Sequence, residues 1–289
     1  MKIKYLIILL LVAVVSYFSA CDIVDEPYVV KKTPPDTTPD TTQFIQKVLL
    51  EDYTGHDCVN CPSAAVEAHD LKEIYGEQLI VIAVHAGWFA RPIPQEPSLA
   101  ADYTCDAGET WYNFFQTIAN PIGLVNRIET SPGSYLVEWG QWGTVVGQEV
   151  LKEPQADITI ENDFNHNTRK LETTVTSRFI TEQTDQFSLI VVVTQDSIID
   201  GQKNNDPLVG ETPLIEDYVF MHMLRGSLNG DWGEMLTTDD PVEIEKDYAH
   251  TITYTFPEEW IPEHCHVVAF IYSDQTKTIL QVEEAEVIE

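Results

Sequence analysis

Basic residues are scarce in this chain: its 289 residues carry 16 Lys and Arg against 47 Asp and Glu, a formal net charge of −31. A surface this acidic repels nucleic acid and anionic lipid headgroups, so no nucleic-acid partner is expected. The sequence also lacks a serine–histidine–acid arrangement, a phosphate-binding glycine loop and a paired-carboxylate motif, which leaves hydrolytic and nucleotide chemistry without a site. No period long enough for a solenoid or propeller is present. The apolar run Leu6 to Val15 is shorter than the ~20 residues a membrane-spanning helix needs. Cysteine is sparse as well, at Cys21, Cys58, Cys61, Cys105 and Cys265 only. If the protein is an enzyme, its chemistry rests on thiols, and no cofactor is called for.

The N-terminus has its own character. Lys2 and Lys4 precede an uncharged run that closes with Ser19-Ala20-Cys21, the pattern of a lipoprotein signal peptide over residues 1–20. Cleavage there leaves Cys21 to carry the lipid, and the lipid, not surface charge, makes the membrane contact. Residues 21–43 include Pro34-Pro35-Asp-Thr-Thr-Pro39-Asp-Thr-Thr and little that could build a core. This segment reads as a tether, since proline-rich chain stays extended at about 3.1 Å per residue.

Past the tether, Val48-Leu-Leu-Glu-Asp52-Tyr-Thr-Gly-His-Asp-Cys58-Val-Asn-Cys61-Pro62 carries two cysteines from the end of an apolar strand into the start of a helix. Unpaired N–H groups and the dipole at a helix N-terminus favour a thiolate, and the two-residue spacing suits a small disulfide ring. Pro62 fits just inside such a helix, where its missing N–H costs nothing. Ser63 to Tyr75 has apolar residues at helical spacing, and Leu79 to Val84 is the continuous apolar run of a buried parallel strand. Asn120-Pro121-Ile122 then opens another apolar strand. In this order of elements residues 44–153 resemble the thioredoxin-like proteins. The resemblance implies that Cys58 is the exposed nucleophile and Cys61 the resolving thiol. It also implies that Asp52 is a buried proton-transfer carboxylate, that Pro121 is cis, and that Asn120 and Ile122 flank the substrate chain. Asp57, where many members have tryptophan, works against a lowered Cys58 pKa.

At Pro154 the pattern changes to β-branched runs separated by polar turns: Ala156–Ile160, Lys170–Thr176, Phe187–Val193, Tyr218–Met221, Ala249–Phe256, Val267–Tyr272 and Ile279–Val282. These strands without intervening helices predict an antiparallel, immunoglobulin-like sandwich over 154–289. The fold class expected is thus an α/β thioredoxin-like domain followed by an all-β sandwich. Cys105 and Cys265 either bridge the two or stay as isolated buried thiols. His56 and His85 could join the dithiol in a soft metal site, although histidines at strand ends are commonplace, and no metal is assigned. In His264-Cys265-His266 strand alternation sends the histidines to one face and the cysteine to the other. Asp196, Asp200, Asn204 and Asp206 lack the spacing of a calcium loop and fit turn chemistry equally well.

Over most of its length past residue 20 the chain also resembles a family of outer-membrane lipoproteins from Gram-negative Bacteroidetes, named for outer membrane protein 28. The resemblance is carried by Glu51-Asp52-Tyr-Thr-Gly55 leading into the dithiol, Val84-His85-Ala-Gly, His222-Met-Leu-Arg225-Gly and Asn229-Gly-Asp-Trp232-Gly. It implies an outer-membrane location with the body on the periplasmic face or the cell surface. Two functions remain open on sequence: thiol–disulfide exchange with envelope proteins, or a non-catalytic surface lipoprotein that binds or adheres and keeps the disulfide as a structural bridge.

Overall fold

The computed structural model describes residues 44–237 and 241–288. The signal segment, Cys21 and the tether lie outside them. Residues 44–289 form one compact unit. The fold is mixed α/β and mostly β.

Strand β1 (Val48–Thr54) is followed by helix α1 (Cys61–Tyr75) and by β2 (Leu79–His85), which pairs with β1 in parallel from Val48↔Leu79 to Thr54↔His85. Helix α2 (Asp106–Phe114) leads to β3 (Ile122–Val125), antiparallel to β1, and helix α3 (Trp142–Glu149) closes this part. The strand–helix–strand order read from the sequence is therefore present, and the Asn120–Pro121 bond is cis. Along β1 the side chains alternate. Val48 and Leu50 pack with Ala64, Ala68 and Leu71 of α1 and Trp142 and Val146 of α3, while Leu49 and Tyr53 face Trp111 of α2.

The second half supplies β4 (Ala156–Asn165), β5 (Lys170–Phe179), β6 (Phe187–Gln195), β7 (Ile198–Lys203), β8 (Leu214–Phe220), β9 (Met223–Ser227), β10 (Glu234–Met235), β11 (Asp247–Thr255), β12 (Cys265–Ser273) and β13 (Ile279–Glu286). The seven β-branched runs all became strands. What differs is their assembly, because the larger sheet is continuous across Pro154, with order β13-β12-β6-β9-β2-β1-β3 and β10 on β6. The joint is β9, antiparallel to β6 on one side and bridged in parallel to β2 at Ala83↔Met223 on the other, where the Ala83 N–H donates to the His222 carbonyl at 2.8 Å. The two halves thus share a sheet instead of owning separate ones. The physical reason is that β2, flanked by β1 on one edge, is engaged on its other edge at Ala83 by His222 and the start of β9.

Both faces of that sheet are covered where β6 and β12 run, which is why β6 is buried throughout. Leu189, Val191 and Val193 with Val267, Ala269 and Ile271 pack under the three-stranded sheet β11-β5-β4, through Ile158, Leu171, Val175 and Phe179. Ile190, Val192, Val268, Phe270 and Tyr272 point the other way, into the core shared with Trp111, Phe115 and Leu124.

At the centre of that shared core sits a fully buried ion pair. Arg127 donates from Nε and Nη2 to both carboxylate oxygens of Glu51 at 2.8 and 2.7 Å. Its guanidinium lies 4.7 Å from the Trp111 ring, 5.1 Å from Phe115, 5.1 Å from Phe270 and 5.9 Å from Trp232. A bidentate fork inside an aromatic cage suits guanidinium better than ammonium. Removing one partner leaves a buried charge unopposed, so Glu51→Gln is expected to cost about 3–5 kcal/mol in denaturant unfolding. The double replacement Glu51→Leu/Arg127→Met should cost less than Glu51→Gln alone, because it leaves no charge behind.

Candidate functional site

The disulfide Cys58–Cys61 spans 5.4 Å between Cα atoms at the start of α1. Helix α1 begins at Cys61 with Pro62 in its first turn, and Cys58 lies in the turn before it, where the Cys61 N–H donates to the Cys58 carbonyl at 3.3 Å. Gly55 lets the chain turn out of β1, since a Cβ there would come 2.4 Å from the Phe89 backbone. The Asp57 N–H uses that close approach to donate to the Phe89 carbonyl at 3.0 Å.

The expectation that Cys58 is the exposed member of the pair is corrected: Cys58 and Cys61 are each 2% exposed. The cover is the hairpin β7–β8 together with its loop; of this segment the sequence shows the strand at Tyr218–Met221, but β7 and the loop around Asp196–Asp206 read only as polar turns. The Lys203 N–H donates to the His56 carbonyl at 2.9 Å and the Asn205 N–H to the Val59 carbonyl at 3.1 Å. Gln202, itself buried, donates through Nε2 to the Cys58 carbonyl at 2.9 Å. Lys203 Nζ pairs with Asp57 at 2.5 Å, which offsets the charge expected to oppose a Cys58 thiolate. Asn205 Nδ2 donates to Asn60 Oδ1 at 2.8 Å, and Ser63 Oγ to Asp206 at 3.3 Å. Gly201 lets the hairpin settle, because a Cβ there would meet the Ser98 carbonyl oxygen at 2.3 Å. The acidic loop residues are occupied locally, Asp200 by the Tyr103 hydroxyl at 2.5 Å and Asp196 by the His222 N–H at 2.6 Å.

Asp52 lies 3% exposed on the α1 side of β1, and its Oδ1 has no hydrogen-bond partner. Burial alone pushes its carboxyl up to about 7. With Cys61, Thr54, His85, Gln202 and Tyr218 it lines a cavity of about 360 Å³ between α1, β2 and β8. The Tyr218 hydroxyl is pushed up to about 12, first by burial and then by the Asp52 charge. His85 is buried with neither ring nitrogen bonded, and burial followed by the nearby His56 lowers it to about 3, so it is neutral. His56 and His85 flank the Tyr103 ring at 6.2 and 5.8 Å. Among the described residues no group of three or more His, Cys, Asp or Glu is arranged to hold a metal ion.

Asn120 Nδ2 donates to the Thr54 carbonyl at 2.7 Å and to the Ala86 carbonyl at 3.3 Å, pinning the residue before Pro121 to the ends of β1 and β2. Ile122 is buried opposite Tyr53, and the outer edge of β3 is taken at Gly123 by Val137. Cys105 and Cys265 are unpaired thiols, raised by burial to about 11 and about 12. Cys265 is buried in the core under the three-stranded sheet, and His266 faces Asp196 at 3.9 Å, as alternation requires. Sequence reasoning missed Gln202 and Tyr218. Their signal was faint, a single glycine in a polar run and an apolar strand whose partner β7 is too polar to read as one.

Asp52 has a pH signature. Its folded-state value near 7 stands above the ordinary 3.8, so above pH 7 both states are ionised and the folded state bears the whole burial cost. Between pH 7 and 4 the folded state takes up the proton first, and stability rises as pH falls. Asp52→Asn is expected to be more stable than the parent at pH 8 by roughly 2–4 kcal/mol, with the difference gone near pH 4. Chemical denaturation of both proteins across that range checks it.

Residues 108–289 match the protein family Outer membrane protein Omp28. No curated protein matches. Among solved structures, HBP35 of Porphyromonas gingivalis is similar in fold, with a TM-score of 0.63 at 14% identity over 84% of this chain and 76% of that one. A domain of the outer membrane lipoprotein Omp28 from Porphyromonas gingivalis is 20% identical over 47% of this chain and 90% of that one, with a TM-score of 0.30. Among the described residues no helix is long and apolar enough to cross a membrane. The family match starts beyond the dithiol and takes in β3 to β13, more than half of the chain. The chain therefore belongs to the Omp28 family, and its location is the outer membrane.

Proposed function

We propose that this is an outer-membrane protein anchored by lipid on Cys21, held off the membrane by residues 22–43, whose thioredoxin-like part at 44–153 exchanges disulfides with envelope proteins. In this reading 154–289 is a sandwich-type module that recognises the partner. The observation that carries the proposal is Asp52: a buried carboxyl without a partner, lining the same cavity as Cys61. Such a group lowers stability near neutral pH and fits a site that needs a proton acceptor next to a resolving thiol.

The steps balance as follows. In the reduced protein the Cys58 thiolate attacks one sulfur of a partner disulfide, forming a mixed disulfide and releasing the other partner sulfur as a thiolate. Cys61 gives its proton to Asp52 and attacks Cys58 Sγ, which restores the Cys58–Cys61 bond and leaves the partner reduced by two electrons. Asn120 and Ile122 flank the cis bond at Pro121, beside which the partner chain would lie. Because both sulfurs are covered, exchange requires the β7–β8 hairpin to release His56 and Val59. The rival reading, a structural bridge in a binding protein, draws on that same cover.

Equilibration of the purified protein in graded thiol buffers, followed by alkylation and mass measurement, tests the proposal. A reduction potential above about −270 mV is expected for an exchanging pair, whereas a value below about −300 mV marks a structural bridge and would overturn the enzyme reading.

A further inference from the structure

The cavity beside Cys61 has a wall composition that the exchange reaction does not use. Ala65, Ala68, Val81, Ala83 and Phe220 form apolar sides, and Asp52 supplies a polar floor. Its rim is apolar and open to solvent: Val66 on α1 is 44% exposed, Val219 on β8 is 47% and Met221 just past β8 is 43%. About 360 Å³ lies at the lower end of the range for small-molecule sites. No lysine or arginine lines it. The Asp52 carboxyl has an oxygen, Oδ1, that no protein group satisfies.

We infer that this cavity binds a small neutral amphiphile, a single ring or short chain with one hydroxyl, seated polar end first toward Asp52 and apolar end between Val66 and Val219. An apolar guest removes water from the alanine and valine walls, and a hydroxyl donates to the carboxyl that otherwise lacks a partner. Anionic amphiphiles are excluded twice, by the carboxylate at the floor and by a chain whose net charge is −31. Cationic ones would lose hydration against the apolar walls formed by Ala65, Ala68, Val81 and Phe220. The inference does not depend on disulfide exchange, because a purely structural bridge would line the cavity in the same way.

Isothermal titration and saturation-transfer NMR on the body 44–289, which contains all three cores, test it with 4-propylphenol and 4-propylbenzoate as probes. Saturable binding of the phenol is expected, with the benzoate weaker by about ten-fold or more at pH 8. Val66→Trp and Val219→Trp alter exposed rim positions and so leave the fold intact. Each is expected to weaken the phenol by about ten-fold. Absence of saturable phenol binding up to its solubility, equal affinity for phenol and benzoate, or unchanged affinity in both tryptophan variants would each overturn the inference. None of these results alters the reduction potential of the dithiol, so the exchange proposal stands or falls separately.

Discussion

Neighbouring carboxylates on one strand, Glu51 and Asp52, set the logic of this molecule, because alternation sends them to opposite faces of the same sheet. Glu51 meets Arg127 in a cage built from α2, β12 and the loop after β9, so its charge is matched where three segments distant in sequence converge. The cage also closes through other bonds: Trp111 Nε1 donates to the Asp231 carbonyl at 2.6 Å, and Tyr272 donates to the Trp232 carbonyl at 2.7 Å. Among these contacts, Trp111 with Asp231 and Arg127 with Trp232 and Phe270 join residues before Pro154 to residues after it. Asp52, one residue along, faces α1 and receives no counter-charge.

The shared sheet turns that asymmetry into a site. Strand β9 joins the second half to β2 at Ala83, and the β7–β8 hairpin just before it lies over the dithiol. Were the two halves independent bodies, the disulfide would sit at an open helix start. Here the second half supplies the hydrogen bonds that cover it and one wall of the cavity behind it. Gln281 on β13 adds a further tie, its Nε2 donating to the carbonyls of Ile45 at 2.9 Å and Ala156 at 3.0 Å. Access to the dithiol is thus a property of the whole body, since displacing the hairpin would uncover it.

Much of this was legible from residues alone. The apolar runs at Val48 and Leu79 and the proline at the head of α1 are local signals, and local signals fix β1, α1 and β2. Alternation placed Cys265 and His266 on opposite faces of β12. Hidden were features set by long-range pairing. Strand β7 reads Ile-Ile-Asp-Gly-Gln-Lys, too polar to be a core strand, and it exists because β8 and the Gly55–Asn60 turn satisfy its backbone. Strand β9, which overlaps the family segment His222-Met-Leu-Arg225-Gly, is short and carries an arginine, yet it joins the sheet through β6 on one side and Ala83 of β2 on the other. Asn229 likewise looks like a turn residue and instead bonds the β6 backbone at Val191 and Leu189. The expected exposure of Cys58 failed for the same reason, since a cover contributed from 144 residues away leaves no trace near the motif.

The protonation of Asp52 ties fold to chemistry, and carboxyl-carbon NMR reads it directly. With aspartate labelled at Cγ and the Asp52 signal assigned through Asp52→Asn, the oxidised protein can be titrated from pH 4 to 9. A midpoint near 7 is expected for a carboxyl raised by burial with no partner. A midpoint near the ordinary 3.8 would mean that water or a cation reaches the group, and the case for a proton acceptor built behind the dithiol would be lost.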